Sequence, residues 1–76
     1  MATDQNLIVR ISQEITNWAV ERDHLRDEYA AAVQADDDAR RWDVADEYHA
    51  AQAELRRLQK LLGRARAGAF IHPNEF

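Results

Sequence analysis

Residues 32–46 read AVQADDDARRWDVAD, and the way an apolar stripe enters and leaves this stretch decides the fold. Upstream, Ile8, Ile11, Ile15, Trp18, Leu25, Tyr29 and Ala32 follow one another at intervals of three and four, with Arg22 at the single polar step. This is a heptad seam, the spacing that keeps one helix face against a partner helix. Downstream, Val44, Tyr48, Ala51, Leu55, Leu58, Leu62 and Ala65 form a second seam, preceded by Arg41. The two seams are out of phase. Carrying the first one onward would place Asp36, Asp43 and Asp46 in the apolar stripe, so a reversal near residues 36–38 is favoured over one long coiled coil. No glycine stands at that point, which leaves a straighter form or a domain-swapped dimer as the competing arrangement.

The reading is an all-α antiparallel two-helix hairpin, coiled-coil-like, occupying residues 1–76 as one domain. Helix 1 spans about residues 5–34, helix 2 about residues 38–67, and a tail covers residues 68–76. Thr3 or Asp4 can cap the first helix, and Asp36, Asp37 or Asp38 the second, by accepting from amides that have no helical partner. Gly68 is suited to a left-handed helix stop, with Pro73 beyond it. In the tail AGAFIHPNEF, Phe70 and Ile71 are expected to pack over the open end of the hairpin, while Phe76 can remain free.

Folding the chain between residues 36 and 37 pairs each seam residue with the one whose number sums with its own to 73. Ile8 then meets Ala65, Ile11 meets Leu62, Ile15 meets Leu58, Trp18 meets Leu55, Leu25 meets Tyr48 and Tyr29 meets Val44. The two seam arginines meet small partners, Arg22 opposite Ala51 and Arg41 opposite Ala32, which leaves room for their stems to lie inside and their charges at the edge.

The same register produces two unlike flanks. One gathers Glu14, Glu21, Glu28, Glu47 and Glu54, close to Asp36, Asp37 and Asp38, and is the expected docking surface for a basic partner protein. The other carries Val9, Ser12, Thr16, Ala19, Ala30 and Val33 from helix 1 with Trp42, Ala45, His49, Gln52 and Gly63 from helix 2. Small residues permit close helix approach and tryptophan is a frequent interface anchor. Val9, Ala19, Val33, Trp42, Ala45 and His49 are therefore the expected self-association surface, and two hairpins are expected to dimerise into a four-helix bundle.

Composition narrows the function classes. The 76 residues contain no cysteine, two glycines and one proline, with 14 acidic and 10 basic side chains and a net charge of -4. Disulfides, thiolate metal sites and phosphate-cradling glycine loops are thereby excluded. No apolar run approaches the roughly 18 residues of a membrane span, and the N-terminus lacks the pattern of a signal peptide, so a cytoplasmic location without membrane contact is expected. Nine of the ten basic residues are arginine and fourteen residues are alanine, a usage that GC-rich coding favours, as in GC-rich bacteria and their phages. Charge is also divided along the chain. Residues 1–54 hold thirteen acids and five bases, and residues 55–76 hold five bases and one acid, Glu75. In a hairpin the loop end is acidic and the end bearing the termini basic.

Three chemistries are weighed against this interaction reading. Glu21 with His24, and Asp46 with His49, repeat a carboxylate-x-x-His spacing used in metal-binding helical bundles, but the register sends the two pairs to different faces, so no metal and no cofactor is expected. Ser12 has no histidine at its level and two helices enclose no cavity for acid–base work, so neither enzyme activity nor a small-molecule substrate is expected. Arg56, Arg57, Lys60, Arg64 and Arg66 form a basic end that makes a small nucleic-acid-binding regulator the alternative. Cations in the last turns of a helix also answer its dipole, and no aromatic is interleaved for base stacking. The function favoured by the sequence is that of a non-enzymatic protein-interaction module, a small regulator, adaptor or inhibitor acting through helix surfaces.

Overall fold

The computed structural model describes residues 4–75. Two helices, α1 (Gln5–Gln34) and α2 (Asp38–Arg66), pack against each other as a hairpin, and a single 3₁₀ turn, Pro73–Glu75, lies in the tail. No strand occurs among the described residues. The molecule is a rod of 54 × 17 × 15 Å. Thr3 and Phe76, named above as a possible cap and a free end, lie outside the described residues.

Both helix starts use aspartate. The Asp4 carboxylate accepts from the Leu7 amide at 3.1 Å, and that of Asp37 from the Arg40 amide at 3.1 Å, each satisfying a donor the first helical turn cannot. Both helix ends use the same paired hydrogen-bond motif. After α1, the Asp36 amide donates to the Val33 carbonyl and the Asp37 amide to the Ala32 carbonyl; after α2, the Gly68 amide donates to Ala65 and the Ala69 amide to Arg64. The motif needs one residue in the left-handed region. Gly68 supplies it with φ 79°, and Asp36 supplies it with φ 57°. Aspartate tolerates that region better than most side chains, so the reversal forms without glycine. Asp37 then closes α1 with its amide and opens α2 with its carboxylate. Helix α2 ends one residue short of the sequence expectation because Ala67 already serves as its cap.

Burial is unequal along the rod. At the open end Ile11, Leu58, Leu61 and Ala65 form one cluster, reinforced by Leu7, Ile8, Ile15, Trp18, Leu62 and Ile71. Toward the loop the cluster is thinner, comprising Leu25, Val44 and Ala51 with Trp18 and Tyr48 against it. Trp18 is common to both. Ala32 and Ala51 are buried, and the Arg41 and Arg22 side chains remain about one-third exposed, on Asp38 and Asp23 respectively.

Three sequence expectations are corrected. Tyr29, assigned to the seam, is 40% exposed and lines an open groove with Arg26, Ala45, Tyr48 and His49 instead of joining the Leu25–Val44–Ala51 cluster. Leu61, assigned to no seam, is buried in the open-end cluster, against which Leu7, Ile8 and the tail residue Ile71 also pack. Of the two tail residues expected over the open end, Ile71 packs there. Phe70 is 73% exposed and stands edge-on to His72, with ring centroids 5.2 Å apart.

One further position has no internal explanation. Gly63 lies inside α2, where glycine is less favourable than alanine by about 1 kcal/mol. A Cβ placed on it meets nothing within 4 Å, so packing within the chain does not call for its absence.

Candidate functional site

The small-residue flank is open along the whole rod. Trp42 is 65% exposed, Val9 and Val33 are about half exposed, His49 is exposed, and Ala19 and Ala45 are half-buried. On α2, Trp42, His49, Arg56 and Gly63 recur every seven residues and so form one row. The Arg41 guanidinium lies 5.5 Å from the centroid of the Trp42 ring. Next to this row, Arg26, Tyr29, Ala45, Tyr48 and His49 line an open groove of about 300 Å³. Tyr48 and His49 meet edge to face at 6.0 Å, and the Gln52 amide donates to the Tyr48 hydroxyl at 2.9 Å. The displaced Tyr29 therefore joins this surface, which sequence periodicity alone does not reveal.

The acidic flank is partly answered by the chain itself. Glu28 lies 3.5 Å from the Arg40 guanidinium, an ion pair between the helices, and accepts the His24 imidazole at 2.9 Å. Glu54 pairs with Arg57, its carboxyl held below its ordinary value chiefly by that hydrogen bond. Glu14, Glu21 and Glu47 make no ion pair among the described residues, and Glu21 and Glu47 stand exposed in water. Asp38 is drawn onto Arg41 at 3.1 Å and the Asp37 carboxylate caps α2, while Asp36 gives only its backbone to the turn. The surface expected to greet a basic partner is thus carried by Glu14, Glu21, Glu47 and the Asp36 carboxylate, none of which is ion-paired among the described residues.

The basic end is clasped by the tail. The Arg64 guanidinium donates to the Glu75 carboxylate at 2.7 Å and to the Phe70 carbonyl at 3.3 Å, and Arg57 donates to the Glu75 carbonyl. The His72 amide adds a bond to the same carboxylate at 2.9 Å. The bond from Arg64 is the main reason the Glu75 carboxyl sits below its ordinary value, and the same bond raises the pKa of Arg64. Arg56, Lys60 and Arg66 make no ion pair among the described residues. Of the five cations assigned to a nucleic-acid alternative, two are engaged by carboxylates.

His24 turns to Glu28 and His49 to Tyr48, so neither reaches the other's carboxylate. Among the described residues no group of three or more histidine, aspartate or glutamate side chains gathers to hold a metal ion. No described helix is long and apolar enough to cross a membrane. Compared with family models, curated proteins and solved structures, the chain matches none.

Proposed function

We propose that the chain is a non-enzymatic protein-interaction module, a small regulator, adaptor or inhibitor whose working form is an antiparallel homodimer of hairpins, a four-helix bundle. The observation that carries this reading is the exposure of Trp42, Val9 and Val33 on the one flank lined by small residues. Area supports it. A monomer of 8.8 kDa is expected to expose about 4,800 Å², and this chain exposes 5573 Å². A rod of 54 × 17 × 15 Å exposes more than a compact monomer by its shape alone, so the difference marks surface open to a partner and not the size of an interface. Charge favours the antiparallel sense, because it brings the acidic loop end of one hairpin beside the basic end of the other, whereas a parallel pair sets acid against acid. The opposite flank, with Glu14, Glu21 and Glu47, is then left facing outward for a basic partner protein.

Sedimentation equilibrium at micromolar concentration tests the reading. The wild-type chain is expected at twice 8.8 kDa, with Trp42→Ala shifted toward the monomer and modest weakening by salt, since most of the contact is apolar. A wild-type monomer overturns it.

A further inference from the structure

We infer that Gly63 is the notch into which the Trp42 indole of a second copy seats, so that each dimer is locked by two reciprocal contacts. The inference rests on the proposed self-association of the small-residue flank and says where that interface is held. Three observations meet on it. First, the glycine is unexplained within its own chain. Its helix would be better formed with alanine, and a Cβ there has open space. A glycine in a helix interior allows another group to approach the backbone closely. Second, Trp42 and Gly63 stand three heptads apart in the same row of α2, so any partner lying along that row meets both. Third, the levels agree. Helix α2 runs Asp38–Arg66 and its midpoint falls at Gln52. A two-fold axis placed at that midpoint, the position that pairs the acidic and basic ends, would set position 42 of one copy level with position 62 of the other, one residue from Gly63. The same operation sets Asp38 level with Arg66 of the other copy, so the acidic and basic ends face each other in the register that seats the tryptophan. An isologous interface repeats every such contact, and a large exposed indole facing an unfilled glycine is the knob and hole that fixes its position.

The full-length chain tests this with four proteins: wild type, Gly63→Leu, Trp42→Ala and the double variant Trp42→Ala/Gly63→Leu. Dimer dissociation constants come from sedimentation equilibrium, with helicity followed by circular dichroism on the same samples. Gly63→Leu is expected to weaken the dimer by about tenfold or more while keeping or raising helicity, since leucine is the better helix former. The double variant is expected to associate more tightly than Gly63→Leu alone, because removing the indole relieves the collision the leucine creates. A wild-type dimer with an unchanged constant in Gly63→Leu overturns the notch and leaves the self-association reading standing. A double variant no tighter than Gly63→Leu does the same. A wild-type chain that remains monomeric overturns both and assigns the flank to a different protein.

Discussion

Two residues in equivalent places, Asp36 and Gly68, show how much one side chain decides. Each occupies the left-handed position that ends a helix, and the surrounding hydrogen bonds are the same. The side chain at Asp36 costs backbone energy that glycine does not, so Asp36→Gly is expected to raise stability by up to about 1 kcal/mol, and Gly68→Ala to lower it by a similar amount. Urea denaturation followed by circular dichroism measures both. Asp37 is expected to be less replaceable, since Asp37→Ala removes the side-chain cap of α2, at about 1 kcal/mol. At this scale the sequence was readable in part. Gly68 announced its stop through its identity, whereas the left-handed Asp36 carried no signal to distinguish it from its two aspartate neighbours until the amide partners of the turn were known.

The helices themselves were legible because their seams repeat over four heptads, and apolar periodicity is the strongest signal a short chain carries. What escaped was whatever depended on a partner out of period. Leu61 lies off the seam and is buried in the open-end cluster that Ile71 joins; Tyr29 lies on the seam and is exposed at the rim of the groove it shares with Tyr48 and His49. The two clusters make the loop half the weaker one. Its amides are expected to exchange with solvent faster than those near Ile11 and Leu58, as native-state hydrogen exchange would record. Leu58, 1% exposed, anchors the stronger half, and Leu58→Ala is expected to cost on the order of 2–5 kcal/mol. The tail responds to pH. Arg64, and secondarily the His72 amide, hold the Glu75 carboxyl below the ordinary 4.5. A carboxyl depressed in the folded state contributes above its unfolded pKa, and the contribution fades as pH falls through the folded one. Tail docking is therefore expected to be full at neutral pH and to be lost in acid, beginning below about pH 4.5. The Ile71 methyl resonances are expected to follow that release while the helical signal of α1 and α2 is retained, and Glu75→Gln is expected to loosen the tail already at neutral pH.

As a whole the molecule is a thin rod with a divided charge and one uncovered apolar side. A two-layer helical hairpin of this size has little stability to spare, and pairing two rods head to tail would cover that side. Charge reversal separates the two flanks: Glu21→Lys with Glu47→Lys is expected to leave the dimer intact and to slow association with a basic partner protein, read by surface-binding kinetics at low salt. The candidate surfaces were visible in the sequence as lists of residues on either side of a seam. The share of each that the chain satisfies by itself was not, because Glu28 with Arg40 and Arg64 with Glu75 join positions that no single helix period connects. Antiparallel pairing through the small-residue flank fixes the distance between the two loop ends. The chain has no cysteine, so Asp38→Cys accepts one spin label on each copy. Pulsed dipolar spectroscopy is expected to return a separation of about 40 Å, the span of an α2-length helix. A separation below about 20 Å, which parallel rods would place there, or the absence of any intermolecular dipolar signal, would contradict it.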